Sequence, residues 1–315
     1  MRIAFVPALL LPAATAAAPA VAKPALLRAT LVGTGTRVIG SDGARFAAWQ
    51  GSDVAETLVY DAATRRTMRV APPAGCAVTA IGAGALLATC DSYPLLSSAQ
   101  VMNLRTGVWR QVVPPASDTS GFTPDRSFVG IGAQWIQARM QDHHSSWSIF
   151  HKRSDGTSYA GASPFGAHVQ PDLDAAGLRR AICPPITATP EDLPVPESSD
   201  GWLPVQLEGR YVLEVLGDPP HVVLGRCGRS RRQTVCRTWC FTPTLSHGRV
   251  LWADDVGRLH VRNLRSRRAR TFVVPNHPVG AVHPLGAHLV LVTDQIAGTQ
   301  RIVVRIAAAR TLRRP

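Results

Sequence analysis

Short apolar runs that begin with glycine recur along most of the chain, at steps of 32 to 48 residues. Each run has the length and composition of a single buried β-strand. A unit that repeats at this spacing cannot bury its apolar face alone, so its copies must pack against one another. In chain order the runs are GARFAAWQ (43–50), GALLATCD (84–91), GAQWIQAR (132–139), GLRRAICP (177–184), GRYVLEVL (209–216), GRVLWADD (248–255) and GAHLVLVT (286–293).

A second pattern follows three of these runs. An alternating strand ends in Asp or Asn, a polar turn of about four residues follows, and another strand begins. Asp61, Asn103 and Asn263 hold the end position, where a short side chain can bond the backbone of its own turn. Each repeat therefore predicts a run of antiparallel strands. The three stretches are TLVYDAATRRTMRV (57–70), AQVMNLRTGVWRQV (99–112) and LHVRNLRSRRARTF (259–272).

Long helical patterns are absent, which predicts an all-β fold. The tripeptides VYD (59–61), VMN (101–103) and VRN (261–263) stand where a WD40 repeat carries Trp-Asp. On these motifs the mature chain resembles the β-propeller superfamily, in its WD40-like and TolB-like repeat style, although the Gly-His signature and kelch double glycines are missing. The resemblance implies a circular platform whose function lies in its loops. The seven glycine-led runs predict seven four-stranded blades, with six as the alternative, and we call the strands of each blade a to d from the axis outward. The resemblance transfers no catalytic residue.

Two segments depart from the repeat. The fourth copy is short and rich in proline (PPITATPEDLPVPESSD, 184–200), so we expect a degenerate blade 4. The N-terminal LLRATLV (26–32) has no blade of its own. We expect it to form the outer strand of the last blade, beside QRIVVRI (300–306), and to close the ring. Residues 23–315 are then one domain.

The N-terminus indicates the compartment. Residues 1–22 contain one early cation, an apolar stretch and small residues before Ala22, which is the pattern of a secretory signal peptide. We place the cleavage after Ala22, with Ala18 and Ala20 as alternative sites. The alternative is that residues 1–22 are not cleaved and serve as a membrane anchor. No later stretch is long enough to span a membrane. We therefore expect a secreted or cell-surface protein.

Six cysteines in an exported chain predict disulfides. Cys76 begins strand a of blade 2 and Cys90 ends strand b, so the two lie side by side in an antiparallel pair. By the same argument Cys227 pairs with Cys236 across a hairpin, and Cys183 pairs with Cys240 by elimination. A zinc site of His221 with Cys227, Cys236 and Cys240 is the alternative, although the spacing matches no common zinc motif.

The formal net charge of +13 is almost all arginine. This excess of arginine has two possible explanations. One is a compositional bias of the coding sequence, and the other is an anionic partner such as a cell-wall polymer or nucleic acid. Because strands alternate in direction within a blade, the c–d turns emerge on one face and the b–c loops on the other. The predicted basic face carries Arg65, Arg66, Arg105, Arg229, Arg231, Arg232, Arg265, Arg267 and Arg268.

The b–c loops carry acids and exposed aromatic and histidine candidates, as loops with a function on a rigid scaffold do. We predict that they bind a ligand. The alternative explanation for the acids is that their side chains hydrogen-bond their own turns. The alternative explanation for the arginines is that they keep the exposed hairpins solvated. The candidate ligand-binding residues are Asp53, Asp91, Tyr93, Asp142, His143, His144, Trp147, Asp218, Asp254, Asp255 and Asp294.

The residues at 142–144, with His151, could also bind a metal or act as a base, but a polar hairpin loop explains them as well. Trp49, Trp135 and Trp252 recur on the b strands and are expected in the core between blades. No G-x-S-x-G motif is present, so a serine nucleophile of the α/β-hydrolase type lacks its signature.

These observations predict an exported binding or interaction scaffold that needs no cofactor or metal. Its expected partner is an extracellular polymer or protein, rather than nucleic acid, and the protein is expected to be a monomer. The alternative is an extracellular enzyme, a hydrolase or lyase that acts on a polysaccharide, with acids from several blades converging near the axis. If the basic face binds instead of the loop face, the expected partner becomes anionic.

Overall fold

The computed structural model describes residues 24–53, 56–91, 95–115, 125–132, 135–141, 146–156, 158–159, 205–208, 211–216, 221–226, 229–237, 239–293, 301–309 and 312. These residues form 25 strands. Within those ranges, no helix has the length and apolar character needed to cross a membrane. The strands assemble into six sheets, each built around four consecutive antiparallel strands or their equivalent. The predicted all-β fold is confirmed.

The first three sheets follow the chain in order. Sheet 1 contains β3 (Arg37–Ser41), β4 (Phe46–Gln50), β5 (Thr57–Asp61) and β6 (Arg66–Val70). Sheet 2 contains β7 (Cys76–Gly82), β8 (Ala85–Cys90), β9 (Ser98–Asn103) and β10 (Val108–Val113). Sheet 3 contains β11 (Asp125–Ile131), β12 (Trp135–Gln141), β13 (Ser146–Lys152) and β14 (Ser158–Tyr159).

The remaining three sheets include the two N-terminal strands. Sheet 4 contains β15 (Val205–Glu208), β16 (Tyr211–Leu216), β17 (His221–Arg226) and β18 (Arg229–Cys236). Sheet 5 contains β19 (Phe241–Ser246), β20 (Arg249–Ala253), β21 (Leu259–Asn263), β22 (Ala269–Val273) and β1 (Ala25–Leu26). Sheet 6 contains β23 (Val279–Leu285), β24 (His288–Thr293), β25 (Ile302–Ala308) and β2 (Ala29–Gly35).

The sheets lie around a common axis. The first strands of neighbouring sheets contact one another, β3 with β7, β7 with β11, β15 with β19, β19 with β23, and β23 again with β3. The apolar clusters lie between sheets rather than within one sheet. One joins sheets 1 and 2, another sheets 2 and 3, and others join sheets 4 and 5, 5 and 6, and 6 and 1. Sheets 1, 2, 5 and 6 are therefore covered on both faces by neighbouring sheets, and sheets 3 and 4 on one face within the described residues.

The N-terminal strand closes this arrangement. β2 pairs antiparallel with β25, with Ala29 opposite Ala307 and Gly35 opposite Ile302. The predicted closure of the last sheet by the N-terminal segment is confirmed. The boundary differs at its start, because Ala25 and Leu26 pair in parallel with β22 of sheet 5 instead. The N-terminal segment thus joins two neighbouring sheets, and Leu27 between them is fully buried.

A tryptophan from sheet 1 fastens the closing strand. Trp49 is fully buried, and its indole N–H donates to the carbonyl of Thr34 at 3.1 Å. A Cβ at Gly33 would collide with the ring of Trp49, so glycine is required for this approach. Trp49 and Trp252 lie in the core between sheets, as predicted.

Six of the seven predicted repeats correspond to sheets of the structure. The expected fourth blade lies outside the described residues, so the total of seven remains a prediction. Two local expectations were wrong. Trp147 lies within β13, paired with Met140, because β12 and β13 extend further than their apolar cores suggest. Arg229, Arg231 and Arg232 lie within β18 rather than in a turn.

The disulfide between Cys76 and Cys90 is confirmed. The two residues are directly paired in the β7–β8 ladder, and their Cα atoms are 3.9 Å apart. The other two predicted pairs were wrong. Cys236 is bonded to Cys240, because the chain turns sharply after β18 and brings the two residues together across the start of β19. That bond also rules out a zinc site that uses both thiolates.

The buried position of Leu27 gives a test of the closure. We expect Leu27→Ala to lower the free energy of unfolding by about 2–5 kcal/mol, since it opens a cavity between two sheets. The matched control is Leu26→Ala, because Leu26 is 72% exposed and its truncation should change stability by less than about 0.5 kcal/mol. Urea denaturation of both variants measures the difference. Equal effects would contradict the observed closure.

Peptide mapping tests the disulfides. Trypsin cleaves after arginine, so residues 70–105 should form one peptide that gains two hydrogen atoms on reduction. Cleavage after Arg237 should leave peptides 233–237 and 238–249 linked until a reductant separates them. A link between Cys227 and Cys236 in the unreduced digest would contradict the observed pairing.

Candidate functional site

The alternating strand directions give the assembly two distinct faces. The hairpin face carries the turns between first and second strands and between third and fourth strands, such as 62–65, 247–248 and 286–287. The loop face carries the longer connections between second and third strands, such as 51–56 and 254–258. Arg65, Arg105 and Arg265 lie in turns of the hairpin face, as expected. The sorting is incomplete, because Asp42 and Asp155 also lie in hairpin-face turns and Arg258 lies in a loop of the other face.

The turn between β5 and β6 is held by Asp61. Its carboxylate accepts from Nε and Nη2 of Arg45 at 2.7 and 2.6 Å. It also accepts from the backbone N–H of Ala63 at 2.9 Å and from the hydroxyl of Thr64 at 3.1 Å. Asn103 and Asn263 bond their own turns in the same way. The predicted role of Asp and Asn at the end of the third strand is therefore confirmed.

Arg65 lies four residues after Asp61 and has a left-handed backbone, with φ of 57°. The equivalent residue of the β9–β10 turn is Gly107, with φ of 71°. Glycine adopts this conformation without cost, whereas a residue with a side chain loses roughly 1 kcal/mol or more. The equivalent residue of the β21–β22 turn is Arg267, with φ of 58°. Arginine is thus present where the backbone favours glycine.

A cavity of about 560 Å³ opens on the hairpin face beside Arg65. Its volume falls within the roughly 300–1,000 Å³ typical of small-molecule sites. Three sheets contribute to it, since Arg65 belongs to the sheet 1 turn, His247 to sheet 5 and His288 to sheet 6. The residues that line it are Arg65, Ser246, His247, Arg249, Leu251, Gly286, Ala287, His288, Leu289, Ala308, Ala309 and Leu312.

The cavity lies at the junction that closes the ring. The turn that begins at Gly286 contacts sheet 1, because the Gly286 N–H donates to the carbonyl of Gly43 at 2.9 Å. On its other side, the N–H of Ala309 donates to the carbonyl of Ala287 at 2.9 Å. In sheet 6 the third and fourth strands come from opposite ends of the chain. The two strands are paired by backbone hydrogen bonds, with Ala29 opposite Ala307, and Ala308 and Ala309 line the cavity.

The cavity lining contains basic and apolar residues. None of the described residues that line the cavity has a carboxylate, whereas two are arginines and two are histidines. Leu289 and Leu312 are buried within the apolar cluster between sheets 5 and 6. Arg65 and His247 are exposed, and Arg249 and His288 are partly exposed. Two arginines and two histidines therefore lie around the cavity, next to buried leucines.

His247 repeats the backbone feature seen at Arg65. It has a φ of 50° in the tight turn before Gly248, and its Nδ1 lies 2.9 Å from the hydroxyl of Ser246. Histidine occurs in this conformation more often than most residues, but a side chain there is still uncommon. Two of the cavity's polar residues thus adopt the left-handed backbone. Such residues cluster at functional sites.

The predicted ligand-binding loops are only partly described. Asp53, Asp91, Asp254 and Asp255 lie between second and third strands, as expected. Asp254 is engaged within the protein. Its Oδ1 accepts from the backbone N–H groups of Val256 and Arg258, and its Oδ2 lies 2.8 Å from Nε2 of His260. Six candidates lie outside the described residues, namely Tyr93, Asp142, His143, His144, Asp218 and Asp294.

The histidine considered for metal or base chemistry is in the core. His151 is 5% exposed and its Nδ1 lies 3.3 Å from the carbonyl of Gly156. Burial lowers its pKa; the contact with Gly156 opposes that shift and the charge of Arg126 adds to it. Burial also lowers the pKa of His283, on the first strand of sheet 6, to about 4. Both histidines are therefore uncharged at neutral pH.

Within the described ranges, no group of three or more His, Cys, Asp or Glu residues could hold a metal ion. The cavity on the hairpin face was not predicted, because its residues belong to three separate turns. One signal was available in the sequence. Arg65 and Arg267 stand in their turns where the third equivalent turn has Gly107, but this departure alone does not separate Arg65, which lines the cavity, from Arg267, which is not among the described lining residues.

The ion pair of Asp61 gives a pH-dependent test. The Arg45 guanidinium holds the pKa of Asp61 well below its usual range. A lowered folded-state pKa adds stability that is present above the ordinary aspartate pKa of about 4 and is lost as pH falls further. Asp61→Asn should keep the turn, as Asn103 and Asn263 do, but lose the ion pair.

We therefore expect Asp61→Asn to be less stable than wild type at pH 7, and the difference to shrink steadily between pH 5 and pH 2. Urea denaturation at several pH values measures it. Asn103→Asp is a useful control, since it introduces an aspartate at the equivalent place in sheet 2. A difference between wild type and Asp61→Asn that stays constant with pH would contradict the role given to the ion pair.

The antiparallel sheets, the ring of first strands and the closure by an N-terminal strand define an all-β protein of the β-propeller class. Among solved structures, the chain is similar to a calcium-binding protein, regucalcin, from Agrobacterium tumefaciens strain C58. The identity is 12% over 92% of this chain and 97% of that chain, with a TM-score of 0.49. No protein-family model matches the sequence. No curated protein matches it either.

Proposed function

We propose that this protein is an extracytoplasmic β-propeller that serves as a binding module, and that it binds an anionic ligand in the cavity on its hairpin face. The observation that carries the proposal is the composition of the cavity lining. Arg65 and Arg249 converge on one space of ligand size from two different sheets, with His247 and His288 beside them. Such a site favours a ligand of opposite charge.

The chemistry of binding follows from the arginines. A guanidinium presents several N–H donors in one plane and pairs with a carboxylate, sulfonate or phosphate through charge-assisted hydrogen bonds. Arg65 and His247 are fixed on tight turns of rigid sheets, so little ordering is required when the ligand binds.

The proposed binding face is the hairpin face, whereas the sequence favours the loop face. On the loop face, both oxygens of Asp254 already have partners within the protein, which supports turn hydrogen bonding as the reason for that acid. On the hairpin face, Arg65 and His247 have a backbone conformation that costs energy and line an open cavity. The positive net charge of the chain agrees with an anionic partner.

The extracytoplasmic location is supported by two independent features. Residues 1–22 have the pattern of a secretory signal peptide. Two disulfides, Cys76–Cys90 and Cys236–Cys240, are present in the described part of the chain, and such bonds persist mainly in oxidising compartments.

The proposal is tested with 1-anilinonaphthalene-8-sulfonate, a fluorescent organic sulfonate. We expect the dye to bind wild type, and Arg65→Gly to bind it about tenfold more weakly, the effect of losing roughly 1.4 kcal/mol. Arg267→Gly is the matched control. It removes the same charge from the same left-handed turn position, but Arg267 lies outside the described lining of the cavity. Fluorescence titration measures the three dissociation constants.

Both variants should keep wild-type stability within about 1 kcal/mol, because glycine suits a left-handed backbone. Added salt should weaken dye binding to wild type and to Arg267→Gly, since exposed charges are screened over about 10 Å at 0.1 M. Equal dissociation constants for Arg65→Gly and Arg267→Gly would show that the dye binds elsewhere, and the proposed function would then fail.

A further inference from the structure

Two aromatic side chains are exposed next to each other where the chain passes from sheet 4 to sheet 5. Trp239 is 50% exposed and Phe241 is 38% exposed, and their ring centroids lie 6.4 Å apart. We call this pair the aromatic platform, and we infer that it binds a neutral glycan. The inference goes beyond the proposed function and does not rest on it, because the platform and the cavity lie on opposite faces.

The position of the aromatic platform follows from the direction of β19. This strand begins at Phe241, and its other end leads into the tight turn of the hairpin face. Trp239 and Phe241 therefore lie at the loop-face end of sheet 5. Phe241 is paired with Ala253, and the loop 254–258 follows directly, so the exposed Asp255 of that loop emerges beside the platform.

The backbone on both sides of Phe241 has an unfavourable conformation. Trp239 has a φ of 56° and Thr242 has a φ of 44°. A positive φ is uncommon in any residue other than glycine, and in a bulky or β-branched residue it is a genuine outlier. Residues of this kind persist only where the surrounding structure holds them, and they cluster at ligand sites and active sites. Two of them lie within four residues here, at the exposed aromatic pair.

Covalent and hydrogen bonds hold this strained backbone in place. Cys236 is bonded to Cys240, which closes a short loop around the first ring. On the other side, the backbone N–H of Val282 in sheet 6 donates to the hydroxyl of Thr242 at 2.9 Å. The β19–β20 ladder also shifts its register directly after Phe241, and β-bulges of this kind re-aim side chains. The backbone that carries the platform is therefore ordered before a ligand arrives, which lowers the cost of binding.

The area of the aromatic platform indicates the size of its ligand. An aromatic side chain buries about 150–250 Å² when it is fully covered, so the exposed fractions of Trp239 and Phe241 amount to roughly 200 Å². A stable protein interface buries about 800 Å² on each partner, and more than half of that area is apolar. The platform is smaller than this apolar part by about a factor of two. It therefore suits a small molecule or a short segment of a polymer better than a folded protein.

The charges near the platform select among the ligands that stack on aromatic rings. A single-stranded nucleic acid needs a basic groove for its phosphates, whereas the neighbouring loop presents the carboxylate of Asp255. A quaternary ammonium ion needs rings that surround it, whereas these two rings are inclined by only 36° and form an open surface. A pyranose is neutral, its C–H groups cover an aromatic face, and its hydroxyls donate to a carboxylate. The combination of two rings and an exposed acid thus favours a neutral glycan.

The experiment uses three neutral tetrasaccharides as probes: cellotetraose, N-acetylchitotetraose and maltotetraose. Isothermal titration calorimetry measures their dissociation constants for the full-length protein. We expect wild type to bind at least one of them. Trp239→Ala should bind that probe about tenfold more weakly, since roughly 60 Å² of lost apolar contact corresponds to a factor of ten. Phe241→Ala should have a smaller effect in the same direction, because less of its ring is exposed.

Two further variants separate stacking from a general loss of apolar surface or of stability. Val108→Ala truncates another exposed apolar side chain, on sheet 2, and should bind as wild type does. Trp239→Phe keeps an aromatic ring and should retain most of the binding that Trp239→Ala loses. The urea midpoint of Trp239→Ala should stay close to that of wild type, because half of the side chain is exposed. Added salt should leave binding unchanged, since the probes carry no charge.

Four outcomes would overturn the glycan site. The first is that none of the three tetrasaccharides binds to wild type. The second is that Trp239→Ala and Val108→Ala bind a tetrasaccharide equally well, because the glycan would then lie elsewhere. The third is tighter binding of tetramethylammonium than of any tetrasaccharide, which would assign the platform to a cation. The fourth is a dimer of wild type in sedimentation velocity that Trp239→Ala dissociates, since a second copy would then cover the platform.

Discussion

The pairing of β2 with β25 holds the arrangement together. Without it, β25 would present an unpaired edge, and the apolar cluster shared by sheets 6 and 1 would open on one side. The pairing brings together residues from opposite ends of the chain, and the entropy cost of closing so long a loop grows only slowly with its length. Burial of Leu27 and Trp49 at the two neighbouring junctions offsets that cost.

The cavity lies beside the same closure. Sheets whose third and fourth strands are consecutive in the chain end in a hairpin, such as the Asp61 turn of sheet 1. In sheet 6, β25 and β2 are far apart in the chain and pair through backbone hydrogen bonds. Arg65, His247 and Ala308 line the cavity beside this pairing. The candidate binding site thus lies next to the strands that close the arrangement.

Much of the fold could be predicted from the sequence, because it depends on local patterns. The glycine-led runs mark second strands, and Asp61, Asn103 and Asn263 mark turns, since each signal acts within a few residues. The pairing of Cys76 with Cys90 follows from adjacent strands. The bond between Cys236 and Cys240 was missed, because it depends on the path of the chain from sheet 4 to sheet 5, which no strand pattern specifies.

The candidate site was predicted less well, for a related reason. The loop face was favoured because its acids and histidines are prominent in the sequence, yet Asp254 uses both carboxylate oxygens within the protein. The cavity residues are far apart in the chain and belong to short turns that look ordinary. Only the three-dimensional closure brings Arg65, His247 and His288 to one place. The position of Arg65 and Arg105 on the hairpin face, by contrast, followed from strand direction alone.

Closure by the two ends of the chain also has a consequence for biosynthesis. At about 5–20 residues per second, β2 leaves the ribosome some tens of seconds before its partner β25 exists. Sheets 1 and 2 can form in that interval, because their strands are consecutive, but sheet 6 cannot. A chain that stops short of β25 would leave β24 with a free edge, which invites association with other chains. The pairing of sheet 6 with the N-terminal segment therefore has to wait until β25 has been synthesised.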